Sequence, residues 1–378
     1  MTRVVITGVA GFLGRNLRAR LATIQGVEVA GFDLGADAAQ LTAALGECDV
    51  VFHLAGVNRP RDIGEYDAGN RGATAELCAQ LTALGRRPKI VFSSSIQAEL
   101  ENPYGVSKRE AEKELRRFAA ETGAEIRVCR LKNVFGKWSR PNYNSVVATF
   151  CHNIANDLPI EISDPQRELE LAYVDDVVEA FVAELPGQQA EAGEIPSYTL
   201  TLGELAGRIQ AYHEMRTTLT LPDFSERFSQ QLYATYLSYL PAERLEEQLT
   251  SHEDQRGSLA EFIKSANFGQ IFVSRTKPGI TRGNHYHHTK TEKFFVVEGE
   301  AAIRLRQIER TEVVEYHVRG ERYQIVNIAP GYTHSIENVG NGELVTVFWA
   351  SEVFDADRPD TYFEPVLQSG TGMAGARA

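Results

Sequence analysis

The chain has 378 residues, 43% of them hydrophobic and 24% charged, and a formal net charge of −12. That length exceeds what one hydrophobic core usually supports, so two domains are expected. An acidic chain without a Lys/Arg run argues against nucleic acid and anionic membranes as partners, and no stretch approaches the roughly 18 apolar residues that span a bilayer.

Met1 to Ile6 leads straight into a strand pattern, which argues against a signal peptide. The cysteines, Cys48, Cys78, Cys129 and Cys151, form no C-x-x-C pair. A reduced, cytoplasmic protein is expected, and any metal site in the second half must use His and carboxylates.

Residues 3–7 read as a short buried strand, Gly8–Gly14 as a glycine-rich turn and Asn16–Ala22 as a helix. Val27–Phe32 and Asp49–Leu54 are further strands, Asn70–Leu84 a helix and Lys89–Ser94 another strand. The alternation continues through Glu125–Leu131 to Tyr173–Asp176 and predicts an α/β, doubly wound parallel sheet. Thr201 with Glu204 forms a capping-box pattern that opens a helix to about Met215. A second helical spacing covers 228–240, and Pro241 to Asp254 reads as a connection. From Gly257 the texture changes. Gln270–Val273, Lys293–Val297, Ala301–Arg306, Thr311–His317, Tyr323–Ile328 and Val345–Trp349 are short β-rich segments between turns, the pattern of an all-β barrel or sandwich. Domains are expected at 1–245 and 246–367, with a disordered Gly/Ala-rich tail at 368–378.

Gly8-x-x-Gly11-x-x-Gly14 joins a strand to a helix, the arrangement that brings backbone and a helix N-terminus to a pyrophosphate. Asp33 ends the next strand, where a carboxylate bonds a ribose 2′-hydroxyl and favours NAD; Arg15 is the opposing signal, a cation suited to a 2′-phosphate. Tyr104 and Lys108 lie one helical turn apart, and Ser93-Ser94-Ser95 ends the strand before them. The Lys108 cation is expected to pull the Tyr104 phenol down, so that it protonates a carbonyl oxygen oriented by Ser95, or by Ser94, as nicotinamide reduces the carbon.

On these residues, with His53-Leu54-Ala55-Gly56, Asn70-x-Gly72-x-Thr74, Asn133-x-x-Gly136 and Tyr173-Val-Asp-Asp176, the first 245 or so residues resemble an extended short-chain dehydrogenase/reductase of the sugar-nucleotide branch. The resemblance implies a nucleoside-diphosphate sugar as substrate. It implies cofactor contacts from Gly8, Gly11, Phe12, Leu13, Gly14, Asp33, Leu54, Ala55, Gly56, Tyr104 and Lys108, and substrate contacts from Asn133 and Asn142. Two departures stand out. Ile96-Gln97 occupy the place of the acidic pair that dehydratases of this family carry, and the gap from Ser95 to Tyr104 is short.

In the β half, His285 and His287 have strand spacing, Glu292 opens the next strand and His334 lies in a later hairpin, Pro330–Asn338. Three imidazoles and a carboxylate suit a divalent metal, Zn, Fe, Ni or Mn. His288, by alternation, faces outward and is not counted as a ligand. Residues 250–367 resemble a cupin. The whole chain resembles the bifunctional capsular polysaccharide enzymes that fuse such a reductase to a zinc cupin, on the strings Gly56–Pro60, Ser94–Gln97, Lys137–Ser145, Thr235–Pro241 and Asp360–Phe363. That resemblance implies a UDP-sugar substrate, Zn2+ in the cupin, NADPH in the reductase and a homodimer. It implies C3-epimerisation of a UDP-linked 4-hexulose followed by reduction of the 4-keto group. The alternative is a plain 4-reductase or 4-epimerase with a non-catalytic, dimerising cupin.

Overall fold

The computed structural model describes residues 1–187, 194–245, 249–308 and 310–368, and the backbone of 372–377. Chain contacts divide it into two compact units, Met1–Ala211 with Gln231–Ala242, and Tyr212–Gln230 with Glu243–Ala378. The last division falls between Ala242 and Glu243, and Tyr212–Gln230 groups with the second unit. Part of the expected connection, 246–248, lies outside the described residues.

The first unit opens with β1 (Thr2–Thr7), whose Val4, Val5 and Ile6 are all buried, as a strand covered on both faces requires. Then come α1 (Phe12–Leu21), β2 (Val27–Phe32), α2 (Ala38–Glu47), β3 (Val50–His53) and α3 (Gly64–Tyr66). Asp37 caps α2 by accepting the Ala39 and Gln40 N–H groups. A π-turn at Asp67–Gly72 leads into α4 (Ala73–Ala83), followed by β4 (Lys89–Ser95), α5 (Pro103–Thr122) and β5 (Ile126–Leu131). α5 starts on an Asn102 cap with Pro103 in its first turn and stops at Gly123, φ +74°.

The five strands run parallel in the order β2-β1-β3-β4-β5. One face packs Val4, Ile6 and Phe52 on Leu17, Val177 and Phe181; the other packs Val5, Val51 and Phe92 on Leu81, Leu115 and Phe118. The order reverses between β1 and β3, which places a crevice beyond their carboxyl ends. The rest of the unit holds β6 (Asn133–Phe135), α6 (Val146–Ala155), β7 (Glu168–Tyr173), α7 (Val174–Val182) and β8 (Tyr198–Thr201), with β6-β7-β8 as a small second sheet. The Thr201/Glu204 capping box forms, with Thr201 N–H to Glu204 at 2.8 Å and Glu204 N–H to Thr201 at 3.2 Å. It opens α8 (Leu202–Thr218), which precedes α9 (Arg227–Leu237). Among the described residues no helix is long and apolar enough to cross a membrane.

The second unit is built from β9 (Ser251–Asp254), β10 (Gly257–Ser265), β11 (Gly269–Thr276), β12 (Thr281–Tyr286), β13 (Glu292–Glu298), β14 (Glu300–Gln307), β15 (Glu312–Arg319), β16 (Ile325–Ile328), β17 (Tyr332–Asn338), β18 (Leu344–Ala350), β19 (Tyr362–Phe363) and β20 (Gly372–Arg377). They form two sheets, β16-β13-β18-β11-β10-β9 and β19-β12-β17-β14-β15-β20. Phe294, Val296 and Phe348 of the first pack against Ile303, Leu305 and Ile336 of the second, the double-sheet architecture of a cupin. The tail expected to be disordered differs in part. Gly372–Arg377 runs parallel to β15, whose outer edge offers unpaired backbone groups, while 369–371 and 378 lie outside the described residues.

Candidate active site and metal centre

A cleft of about 1360 Å³ opens at the β1/β3 reversal. Gly8, Gly11, Phe12, Leu13 and Gly14 line it, as do Leu54, Gly56, Ser94, Ser95, Tyr104, Lys108, Asn133 and Asn142. α1 begins there with no side-chain cap and no acidic residue in its first turn, so its N-terminal N–H groups remain available to an anion. Gly8 and Gly14 each have a contact that demands glycine. A Cβ at Gly14 would lie 2.2 Å from the Gly8 carbonyl oxygen, and one at Gly8 2.7 Å from the Ala55 nitrogen. Ala55 therefore backs the turn and does not line the cleft. Asp33 is not on the cleft wall either; its two carboxylate oxygens accept the Ala10 N–H at 3.2 and 3.1 Å and brace the turn.

Helix α5 delivers Tyr104 and Lys108. Ser95 lines the same cleft as Tyr104 and Lys108. Burial raises Tyr104 above its ordinary value, with the Ser95 hydroxyl pulling the other way. The expected depression by Lys108 is therefore corrected: burial is the largest influence on the phenol, and the Lys108 ammonium donates to the Ser93 carbonyl at 2.9 Å. Burial lowers Lys108 to about 8, opposed by the Glu112 charge. Gly56 makes room for that ammonium, since a Cβ there would lie 3.2 Å from Lys108 Nζ and 2.7 Å from Asn70 Oδ1. Asn70 in turn ties Val57 to Ser107.

Glu112 is a residue the sequence reading missed. It is fully buried on α5, one turn beyond Lys108, and accepts the Ser94 hydroxyl at 2.6 Å and the Arg130 guanidinium at 2.9 and 2.8 Å. The spacing 104, 108, 112 on one helix face was the available signal. The Ser94 hydroxyl is held by Glu112, while Ser95 lines the cleft and accepts the Gln97 N–H at 3.2 Å. Asn133 donates to the Glu170 carbonyl at 3.1 Å, and Asn142 sits at φ +53° in the loop before α6. Gln97 also lines the cleft, in the place where a dehydratase acid would stand.

In the second unit, His285, His287, Glu292 and His334 bring four ligand atoms within 4.8 Å of one another. His285 and His334 are directly paired across β12 and β17. His287 lies one residue past β12, after a register shift between Gly283 and His285, so strict alternation is not what aims it. The Nε2 atoms of His287 and His334 stand 3.4 and 3.2 Å from the same Glu292 oxygen, buried and without hydrogen-bond partners. Burial, then the neighbouring His334, lowers His285 to about 4, which keeps its imidazole neutral. Orphaned inward-facing imidazole nitrogens around a carboxylate are the donor set that a divalent cation satisfies, so these residues fit a metal.

Residues 4–196 match the model of the NAD dependent epimerase/dehydratase family, and residues 252–362 that of the polysaccharide biosynthesis C-terminal domain. The UDP-2-acetamido-2,6-beta-L-arabino-hexul-4-ose reductase of Pseudomonas aeruginosa is 43% identical over 363 residues, 95% of this chain and 98% of the relative. The crystal structure of capsular polysaccharide assembling protein CapF from Staphylococcus aureus has a TM-score of 0.89 at 42% identity, over 96% of this chain and 99% of the other. A shorter match, 26% over 122 residues, is to the spore coat polysaccharide biosynthesis protein SpsL of Bacillus subtilis, over 30% of this chain and 81% of the relative. The chain belongs to the NAD dependent epimerase/dehydratase family, in the bifunctional capsular polysaccharide branch that joins an epimerase-type domain to a polysaccharide biosynthesis C-terminal domain.

Proposed function

We propose that this chain epimerises a UDP-2-acetamido-2,6-dideoxy-4-hexulose at C3 in the second unit and reduces its 4-keto group in the first. The product is a UDP-6-deoxy-N-acetyl-L-talosamine for capsule or O-antigen assembly. The observation that carries the reading is a single cleft that brings Ser95, Tyr104 and buried Lys108 together with the glycine turn. The reductase name of the full-length Pseudomonas relative supports the substrate class.

Gly8–Gly14 would hold NAD(P)H, which when bound would supply the hydride for C4. Tyr104 gives its proton to O4; a phenol raised by burial arrives protonated, as an acid must. Ser95 orients the same oxygen, and Lys108 offsets the charge left on the phenol. Asn133 and Asn142 contact the sugar nucleotide from their positions on the cleft wall. Ile96-Gln97 offer no carboxylate for eliminating water, which favours reduction over dehydration.

The 4-keto group acidifies the protons on both neighbouring carbons, C3 and C5, and the reading assigns the exchange to C3. His285, His287, Glu292 and His334 would hold a divalent ion, Zn2+ among others, which when bound supplies Lewis-acid polarisation of the keto oxygen. Reduction is essentially irreversible and draws a near-equilibrium epimerisation forward. The test is NAD(P)H consumption, with the UDP-4-keto-6-deoxy sugar and the matching 4-hydroxy sugar supplied separately. Consumption with the ketone alone is expected; no consumption with any 4-keto sugar would sink the reading.

A further inference from the structure

The metal ligands His287 and Glu292 flank a four-residue loop, His288-Thr289-Lys290-Thr291, whose shape decides whether the two side chains converge. That loop is wrapped around one distant side chain. The Asp360 carboxylate accepts the His288 N–H on one oxygen and the Thr289 N–H, the Lys290 N–H and the Thr289 hydroxyl on the other, all at 2.9 Å. The Asp360 backbone carbonyl accepts from His287 Nδ1 at 2.6 Å. That bond places the ring proton on Nδ1 and leaves the buried, partnerless Nε2 as the lone-pair donor.

Asp360 belongs to a segment that pairs with β12 through Tyr362 and Phe363, with the Glu364 N–H donating to the Asn284 carbonyl at 2.9 Å. The segment is fixed on both sides. Lys290 Nζ reaches back to the Pro359 carbonyl at 3.2 Å and the Thr361 hydroxyl at 3.1 Å. Arg306, itself 2% exposed, donates to the Val366 carbonyl at 3.0 Å and the Glu364 carboxylate at 2.7 Å. Asp360 sits at φ +34°, a left-handed conformation that a non-glycine residue keeps only where its surroundings hold it.

We propose that Asp360 is a positioning residue of the metal centre, setting the His287 tautomer and the 288–291 loop so that the four ligands converge before an ion arrives. The inference rests on the metal reading above and extends it to a segment outside both histidine motifs. The backbone carbonyl survives any substitution, so the carboxylate is the part to change. Asp360→Asn puts an amide N–H against the donors of the loop.

The experiment uses the full chain stripped of metal and measures Zn2+ affinity by competition with a chromophoric chelator. Asp360→Asn is expected to weaken Zn2+ binding about 10–100-fold, with the melting temperature of the metal-free protein and NAD(P)H binding unchanged. Co2+ in place of Zn2+ is expected to give an altered d–d spectrum in the variant. Lys290→Ala, which removes only the ties to Pro359 and Thr361, is expected to shift affinity in the same direction and carries the test if Asp360→Asn does not fold. Wild-type affinity in both variants overturns the proposal, as does a lower metal-free melting temperature with affinity unchanged. His285→Ala separates the two readings: if it also binds Zn2+ like the wild type, the metal centre itself is wrong.

Discussion

In the proposed reaction Tyr104 and Lys108 divide the work of one proton transfer. Burial keeps the phenol protonated and the same burial lowers the ammonium to about 8. Tyr104→Phe keeps the ring and removes the acid, so kcat for reduction is expected to fall about 10²–10⁴-fold, with cofactor affinity retained by fluorescence titration; a variant with wild-type kcat would contradict the assignment. Lys108 makes the reaction pH-dependent. The ammonium is intact below about 8, so kcat/KM is expected to hold to that pH and fall above it. Stability moves the other way. The unfolded chain keeps this proton up to 10.5, so burying the cation costs stability below about 8 and the cost is relieved between 8 and 10.5. A kcat/KM profile without a break between about pH 7 and about pH 10 would rule out this role. The pair was legible in the sequence because helical spacing alone sets it. Its electrostatics were not, because desolvation depends on what covers α5, and Glu112 became visible only when Ser94 was seen bonded to it.

At the scale of elements, the strand–turn–helix from β1 through α1 was readable because three glycines and an apolar run leave few alternatives. The structure adds the reason for the third glycine. A Cβ on Gly14 meets backbone, the Gly8 oxygen at 2.2 Å and Val9 Cα at 2.7 Å, so nothing flexible gives way. Gly14→Ala is expected to cost about 1–3 kcal/mol of stability and to weaken NAD(P)H binding about tenfold or more; unchanged affinity by titration would show that the turn does not carry the cofactor. The helices Ala38–Glu47 and Val146–Ala155 had no signal strong enough to read beside their neighbours. In the β half, alternation put His285 and His287 together, but the register shift at Gly283–His285 and the Asp360 contacts are what aim His287. A contact between residues 287 and 360 leaves no periodic trace, which is why the histidine motifs were legible and their support was not.

For the whole molecule, the proposed function divides two chemistries between the two units. The first holds a cleft lined by the glycine turn, Ser95, Tyr104 and Lys108; the second holds a buried His/Glu set that fits a divalent ion. Both family models and the full-length relatives span this same pair of domains. Removing metal is therefore expected to abolish C3 exchange while NAD(P)H binding persists. The most direct test is the reaction in D2O with a UDP-4-keto-6-deoxy-N-acetylhexosamine and unlabelled NAD(P)H, with the product weighed and its label located. The account predicts one deuterium at C3, none at C4, and loss of the C3 label on chelation or in His334→Ala. A reduced product with no deuterium at C3, or a C3 label indifferent to metal and to His334, would contradict it.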